Sequence, residues 1–200
     1  MAQIRSILEK VDEQKEQKKR KWAGIIIAAV MLFSTAAFAI LENSISGGDQ
    51  NTAKYKTYNF QRTDAGWQTT VNNAVLTTSF LPQEVENISS SAFIPSSLGN
   101  AIYFVANSYD ERQAASEISK VLNAQRMQFA CLPEDSNKSE CADLPLKSCD
   151  DASSDGGIII IKEMNTTSVE YNKFCLTIQG NATEIVKVAD KAVFKITGII

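Results

Sequence analysis

The chain has 200 residues, of which 44% are hydrophobic and 22% are charged. This length accommodates one domain, or one domain with an anchor, because compact domains usually take roughly 100 to 200 residues. The composition is that of a globular protein and excludes wholesale disorder. The sequence contains no His, which excludes Ser-His-Asp and Cys-His catalytic pairs and His-ligated zinc or haem.

The net charge of −3 is unevenly distributed along the chain. Residues 1–21 carry a net of +3 and end in the basic cluster KKRK, so the other 179 residues carry −6. Phosphate binding needs clustered Lys and Arg. The acidic main part of the chain therefore predicts no nucleic-acid partner.

Residues 22–41, WAGIIIAAVMLFSTAAFAIL, are twenty consecutive uncharged residues. As a helix they would extend about 30 Å, which matches the hydrocarbon core of a bilayer. The basic cluster lies directly before this segment and Glu42 directly after it. By the positive-inside rule we predict a single transmembrane helix with a cytoplasmic N-terminus and the rest of the chain outside the cell membrane.

A cleaved secretory signal is the alternative for residues 22–39. Ala37-Phe38-Ala39 fits the small-x-small cleavage pattern after an apolar run. The 21-residue leader and the length of the apolar stretch favour a retained anchor. Both interpretations export the same domain.

The cytoplasmic tail, residues 1–21, contains an apolar stripe at helical spacing. It consists of Ile4, Ile7, Leu8 and Val11. We expect this basic amphipathic segment to lie on the inner leaflet or to pair with another helix. The alternative is a helical extension of the membrane span.

After the predicted span, residues 42–54 are rich in Gly, Ser, Asn and Asp, which indicates a linker. We predict an exported domain over residues 55–200 that begins with a three-stranded antiparallel meander. Apolar and polar residues alternate around Phe60 and over 67–71, and residues 75–80 form the third strand. Turn residues, TDAG and Asn72-Asn73, separate these stretches.

Residues 101–132 predict a βαβ unit with parallel strands. The first buried strand is AIYFVAN, from residue 101 to 107, and the second is QFACL, from 128 to 132. Between them, Ser108 and Glu111 have the spacing of a helix capping box. The apolar face of that helix consists of Ala114, Ala115, Ile118, Val121 and Leu122.

Two further strands and a helix complete the predicted domain. Residues 158–161 indicate a buried strand, and residues 171–178, YNKFCLTI, are expected to pair antiparallel with it after a polar turn. Residues 182–196 predict a helix with one apolar face: Ile185, Val188, Ala189, Ala192, Val193 and Ile196. The predicted fold class is α/β (α+β), with a meander and a mixed βαβ-ββα sheet.

All four cysteines lie in the predicted exported part: Cys131, Cys141, Cys149 and Cys175. This distribution predicts two disulfides, because disulfides persist outside the cytoplasm. Four thiols allow three pairings, and loop-closure entropy favours Cys131 with Cys141 and Cys149 with Cys175. A tetrathiolate zinc site is the alternative, but the spacings lack a C-x-x-C knuckle.

Residues 151–156 resemble the first half of a calcium loop. Asp151, Ser153 and Asp155 place oxygen ligands at alternate positions before a Gly. Lys162 stands where the closing bidentate Glu belongs, and Glu163 comes one residue late. We therefore predict a solvated turn and no metal site.

Four Asn-x-Ser/Thr sequons are glycosylation candidates: Asn87, Asn137, Asn165 and Asn181. Asn137 and Asn165 are in predicted loops and are the better acceptors. Asn181 stands three residues before Glu184 and is predicted as a helix N-cap. Glycosylation of this side chain would compete with that capping role.

No residue is predicted to be catalytic and no cofactor is expected. The sequence contains no nucleophile elbow, P-loop or G-x-G-x-x-G motif. Asp110 and Glu111 are explained by a helix N-terminus, and Asp143, Asp150 and Asp151 belong to the cysteine-containing loop. Nothing in the pattern selects a catalytic carboxylate pair.

The pieces MLFSTAAFAI, CADLPLKSC and FCLTIQGN, followed by a helix with Ala189-Asp190, resemble archaeal single-pass membrane proteins. Proteins of that group have an exported, cysteine-containing α/β domain and no assigned activity. The resemblance implies an anchor and an exported disulfide-bearing domain. It implies no catalytic residue.

These observations together predict a non-catalytic binding or scaffolding module of the cell envelope. Besides the bilayer, its expected partner is a protein or an envelope glycan. The alternative is an exported hydrolase that uses carboxylates. An enzyme requires convergent Asp or Glu side chains in a cleft, whereas a binding module requires an exposed apolar or aromatic patch.

Overall fold

The structure, a computed structural model, describes residues 51–200. These residues form two β-sheets and three α-helices. By its contacts the chain divides after Asp49, and Gln50–Ile200 is one unit. No helix among the described residues is long and apolar enough to cross a membrane. The predicted tail (1–21), the predicted span (22–41) and all but the last four residues of the predicted linker (42–54) lie outside the described range.

The smaller sheet is an antiparallel meander of four strands in chain order. The strands are β1 (Thr52–Tyr55), β2 (Tyr58–Thr63), β3 (Gly66–Val71) and β4 (Ala74–Thr78). Three were expected; β1 lies partly in the predicted linker, and its Ala53 and Tyr55 pack against the core. Asn72 and Asn73 have φ angles of 50° and 65°, the left-handed conformation that a two-residue hairpin turn requires.

The larger sheet has six strands in the order β5-β9-β10-β8-β6-β7. They are β5 (Ser89–Ser90), β6 (Ala101–Val105), β7 (Arg126–Ala130), β8 (Gly156–Glu163), β9 (Ser168–Asn172) and β10 (Cys175–Gly180). Strands β7, β6, β8 and β10 are parallel, and β9 is antiparallel to β10. The mixed α/β architecture agrees with the predicted fold class.

The three helices are α1 (Pro82–Val85), α2 (Tyr109–Ser119) and α3 (Ile185–Thr197). The predicted βαβ unit is confirmed, since α2 connects β6 to its parallel neighbour β7. The predicted capping box is also present. The Oγ atom of Ser108 accepts the N–H of Glu111 at 3.2 Å, and Oε2 of Glu111 accepts the N–H of Ser108 at 3.0 Å.

The prediction of one strand over 171–178, antiparallel to the preceding strand, is wrong. Lys173 and Phe174 have φ angles of 43° and 65°, so the chain turns there and β9 and β10 form a hairpin. Strand β9 runs back along the sheet, and β10 then lies parallel to β8. The turn was missed because Gly and Asn, the residues that favour left-handed φ, are absent from its two central positions.

Helices α2 and α3 pack against the larger sheet. Helix α3 packs on α2, β9 and β10, while its Phe194 ring meets Phe60 of the meander edge-on, with centroids 6.1 Å apart. The helix therefore buries side chains on several sides, and the single apolar face that the sequence predicted is too narrow. Gly198 ends α3 in the left-handed conformation, with φ 72°.

The opposite face of the larger sheet has its own small apolar cluster. Val105, Ala130 and Leu132 are buried there, with Tyr103 and Ile160 partly buried beside them. The long connection from β7 to β8, residues 131–155, has only three short 3₁₀ turns. This connection bears three of the four cysteines.

Candidate functional site

The four cysteines form two disulfides. Cys131 is bonded to Cys141 and Cys149 to Cys175, with Cα atoms 5.8 Å and 5.4 Å apart. This is the pairing that loop length favoured, and no free cysteine remains in residues 51–200. The second bond ties the end of the connection 131–155 to β10. Two disulfides fit an oxidising compartment outside the cytoplasm.

The calcium-like segment forms a hydrogen-bonded turn. Oδ2 of Asp151 accepts the N–H of Ser148 at 2.8 Å, and this hydrogen bond holds the pKa of Asp151 below its usual value. Ser153 and Gly156 exchange two backbone hydrogen bonds, of 2.9 and 3.2 Å. Among the described residues, no three Cys, Asp or Glu side chains are arranged to hold a metal ion.

All four sequon asparagines are exposed: Asn87, Asn137, Asn165 and Asn181. Asn181 is not the N-cap in the strict sense, because α3 begins at Ile185 with Glu184 in the cap position. Its side chain still organises the helix entry. Oδ1 accepts the N–H groups of Thr183 and Glu184 at 3.1 and 3.0 Å, and Nδ2 donates to Oε2 of Glu184 at 2.8 Å.

Carboxylates gather where the parallel strands β6 and β8 end. After β6 the chain crosses to β7 on one side and then returns to β8 on the other, and ligands of open α/β sheets bind at such a switch point. Glu111 and Glu163 meet here, and Ser108 Oγ donates to Oε1 of Glu163 at 2.5 Å. Asp135 accepts Nδ2 of Asn107 at 2.9 Å.

The hydrogen bonds of Glu111 indicate a structural role for this cluster. Glu111 is 7% exposed. Its Oε2 accepts the N–H groups of Asn107 and Ser108, at 2.6 and 3.0 Å, and its Oε1 accepts the N–H of Glu163 at 3.0 Å. The carboxylate thus joins the ends of β6 and β8. A general acid or base needs a free oxygen that faces substrate. Both oxygens of Glu111 instead accept backbone N–H groups.

Asp190, in the middle of α3, is the carboxylate whose environment is most perturbed. Burial raises its pKa to about 7, although the N–H groups of Phe80 and Ser79 favour the charged form. Both donate to Oδ2, at 2.8 and 2.9 Å, whereas the buried Oδ1 has no hydrogen-bond partner. Asp190 is 0% exposed, so it cannot reach a substrate and instead fixes the end of the meander to α3.

An apolar groove lies between α2 and β7. Its volume is about 310 Å³, and its lining includes Phe104, Phe129, Met127 and Arg112. Phe129 and Met127 are 41% and 36% exposed, which is high for such large apolar side chains at alternate positions of a strand. The Phe104 and Phe129 rings are 6.3 Å apart and form the floor. No Asp or Glu lines this groove.

A guanidinium borders the groove. Arg112, on α2, places Cζ 5.6 Å from the centroid of Phe129, and its Nε donates to the carbonyl of Ala106 at 3.4 Å. The ion pairs found in residues 51–200 join Lys120 to Glu117 and Lys138 to Asp135. Arg112 therefore has no carboxylate partner within 4 Å among the described residues.

The same groove borders an open sheet edge. Strand β7 is the last strand of the larger sheet. At Cys131, just past its end, the backbone pairs outward: its N–H donates to the carbonyl of Pro145 at 3.0 Å, and its carbonyl accepts the N–H of Lys147 at 2.8 Å. Because backbone groups alternate in direction along a strand, those of Met127 and Phe129 also point outward. No described strand pairs with them.

Two of the three other sheet edges, β5 and β1, are less accessible to a partner strand. Strand β5, at the far edge of the larger sheet, has only two residues. Strand β1, at one edge of the meander, exposes Lys54, and short strands and lysines protect natural edges from pairing. Strands β4 and β7 both have five residues, but β4 exposes one large apolar side chain, Val75, whereas β7 exposes two, Met127 and Phe129. The candidate functional site is therefore the groove and the open edge beside it, which we call the β7 groove.

The sequence analysis missed both Asp190 and the β7 groove. A signal for Asp190 was present: Val186 and Phe194, four residues before and after it, are apolar and mark a second buried face of the helix. A weaker signal for the groove was the alternation of Met127 and Phe129. That alternation gives no indication that β7 is an edge strand.

No protein-family model matches the chain, and no curated protein or solved structure matches it. The functional assignment therefore depends on the residues and the geometry alone.

Proposed function

We propose that the chain is a membrane-anchored, exported binding module of the cell envelope that captures a partner protein in the β7 groove and has no catalytic role. Residues 22–41 anchor it in the bilayer with the N-terminus in the cytoplasm, as the uncharged span and the flanking KKRK support. The two disulfides support an oxidising, extracytoplasmic location for the domain.

The observation that carries the proposal is the separation of the apolar groove from the perturbed carboxylate. The groove presents Phe129, Met127 and Arg112, and aromatic residues, Met and Arg are enriched in protein interfaces. The carboxylate with the raised pKa, Asp190, is fully buried. An exported hydrolase, the alternative, would need such a carboxylate in a cleft.

The partner is a protein rather than a glycan because of the backbone at the groove. The outward N–H and C=O groups of Met127 and Phe129 recur at the spacing of a strand, which matches the repeat of another polypeptide backbone. The net acidic charge of residues 51–200 argues against nucleic acid as a partner of the domain.

Photo-crosslinking in intact cells tests the binding proposal. A photoreactive amino acid replaces Phe129 in the groove or, as the control, Phe93, which is 71% exposed outside it. We expect a discrete protein adduct from position 129 and none from position 93. Equal labelling from both positions, or no adduct from either, would refute the assignment of the groove. A hydrolytic activity lost in Glu163→Gln would favour the hydrolase.

Protease treatment of intact cells tests the topology. Digestion should remove the chain after Glu42 and spare residues 1–21. A protected C-terminal domain would show that the orientation is reversed. If the mature protein begins at Ile40, the segment 22–39 is a cleaved signal and the module is secreted.

A further inference from the structure

We propose that the β7 groove recognises its partner by β-strand addition: an extended, acidic segment of the partner protein pairs with the open edge of β7 and inserts apolar side chains beside Phe129. This inference rests on the proposed function and specifies its chemistry. In strand addition, backbone hydrogen bonds supply affinity and pockets for alternate side chains supply specificity.

The chain itself demonstrates that this edge can form hydrogen bonds. Pro145 and Lys147 bond to Cys131 as a parallel neighbour would. This pairing is an isolated bridge, so among the described residues the edge is covered at Cys131 and not along β7. The unpaired outward groups of Met127 and Phe129 continue the same row. An incoming strand would therefore continue the row of backbone hydrogen bonds that begins at Cys131.

The side chains along the edge define what the partner segment must carry. The outward backbone positions, Met127 and Phe129, also project their side chains onto the helix side of the sheet, where the groove lies. The groove, at about 310 Å³, is at the small end of ligand sites. This volume suits one or two aliphatic side chains of a strand, spaced two residues apart.

Charge complementarity determines that the segment is acidic. Residues 51–200 carry 13 basic and 17 acidic side chains, yet two arginines lie at this edge, one on the groove face and one on the opposite face of the sheet. Arg112 borders the groove, and Arg126, at the start of β7, donates from Nη2 to the Tyr103 hydroxyl at 3.2 Å. Neither forms an ion pair in the described part of the chain. Carboxylates on the incoming strand would supply the missing counterions.

The proposal is tested with the full-length protein in lipid nanodiscs and two fluorescent twelve-residue peptides. One alternates Glu and Val, and the matched control alternates Lys and Val. We expect the Glu-Val peptide to bind at least tenfold more tightly in fluorescence anisotropy. Amide hydrogen exchange within Arg126–Ala130 should slow when it binds, because Met127 and Phe129 donate to the added strand. Equal binding of the two peptides, or no slowing in β7, would overturn the proposal.

Three variants sharpen the test. Met127→Pro removes one outward N–H without removing a bond to β6, and it should weaken Glu-Val binding at least tenfold. Arg126→Glu should invert the preference toward the Lys-Val peptide even if the proline variant folds poorly, because the charged side chains of a strand whose Val side chains enter the groove lie on the face of Arg126. Lys54→Glu removes an exposed cation from the meander and should leave both affinities unchanged. Loss of preference in this last variant would show that net charge, and not the groove, selects the peptide.

Other occupants give different results. A dimer that forms with increasing concentration and disappears in Met127→Pro would assign the edge to a second copy of this chain. Binding of purified envelope glycan that depends on Phe129, without peptide binding, would assign the groove to sugar. Either result overturns strand addition. A crosslinked protein partner at position 129 without peptide binding would leave the proposed function intact, whereas absence of both would refute the proposed function.

Discussion

The buried carboxylate of Asp190 should make the stability of this domain depend on pH in an unusual direction. Its pKa is about 7 in the folded protein, raised chiefly by burial, against an ordinary value of 3.8. The folded state therefore holds the proton more tightly than the unfolded state between these values. By linkage, stability is greatest below about pH 4 with respect to this group and falls as the pH rises toward 7.

The size of the effect follows from the shift. A difference of about three pKa units corresponds to about 4 kcal/mol at pH values above both pKa values. Glu117 on α2 contributes to the upward shift, and Lys120, the residue that follows α2, opposes it. The unpartnered Oδ1 atom explains why two N–H donors on Oδ2 do not stabilise the charge sufficiently.

The substitution Asp190→Asn isolates this contribution. The amide retains an oxygen that can accept the N–H groups of Ser79 and Phe80, but it carries no charge at any pH. The free energy of unfolding of the variant should be close to that of the wild type near pH 4. At pH 8 it should be about 4 kcal/mol larger than that of the wild type. Urea denaturation at half-unit pH intervals measures both curves.

Asp135→Asn provides the opposite control. Its partner Lys138, by hydrogen bond, holds the pKa of Asp135 below its ordinary value. The stability that this carboxylate contributes is present at neutral pH and is lost as the pH falls, so the substitution should reduce stability at neutral pH only. If the curves of the wild type and Asp190→Asn are parallel from pH 4 to 8, the inferred ionisation of Asp190 is wrong.

Three further predictions concern stability and use denaturant unfolding as the assay. Gly157→Ala should destabilise the domain by about 2 kcal/mol or more, because the new Cβ would lie 2.4 Å from the backbone carbonyl oxygen of Leu98. Gly156→Ala should cost under about 1 kcal/mol, because its Cβ would meet only the Tyr103 side chain, which can move. Equal effects would contradict this packing. Replacing Cys149 and Cys175 together by Ala should remove about 3 to 4 kcal/mol, since the bond closes a 26-residue separation; an unchanged midpoint would show that this bond does not constrain the chain. Asn181→Ala should cost about 1 kcal/mol through lost hydrogen bonds at the entry to α3. Asn181→Asp keeps the acceptor for these N–H groups but loses the donor to Glu184, so it should cost less than the Ala variant.

Local patterns in the sequence predicted the elements that depend on neighbouring residues. The capping box of Ser108 and Glu111 lies within four residues, and the Asn72-Asn73 turn lies within two. Both could be recognised because the hydrogen bonds or dihedral angles concerned involve only nearby residues. The short-loop disulfide pairing follows the same logic, since closing a shorter loop loses less entropy.

Features that depend on strand order could not be derived in this way. Strand β8 could have joined the sheet beside β7 or beside β6, and both arrangements satisfy the same alternation of apolar residues. The structure places it beside β6, which leaves β7 at the edge. The exposure of Phe129 and Met127 is a consequence of that choice. The sequence analysis therefore did not predict the candidate site, because its residues could be read from the sequence but the edge position of β7 could not.

The left-handed turn at Lys173 and Phe174 shows a different limit of prediction from local sequence. Non-Gly residues in this conformation are strained by about 1 to 2 kcal/mol each, so local preference argues against a turn there. Tertiary contacts compensate: Cys175 enters the disulfide with Cys149, and the carbonyl of Phe174 accepts the N–H of Ile158 at 3.0 Å. These long-range bonds select the hairpin.

The disulfides perform the structural task that apolar burial performs elsewhere in the domain. Cys141 is the only buried residue between positions 133 and 155, so this connection has almost no apolar surface with which to hold itself against the sheet. The bond to Cys131 fixes it beside the end of β7, and the bond to Cys175 fixes it on β10. With both bonds reduced, little would hold the connection over the cluster of Val105, Ala130 and Leu132, or keep Pro145 beside Cys131. The extent of open edge on β7 therefore depends on an oxidised connection, which links the proposed partner site at this edge to the oxidising compartment that the disulfides fit.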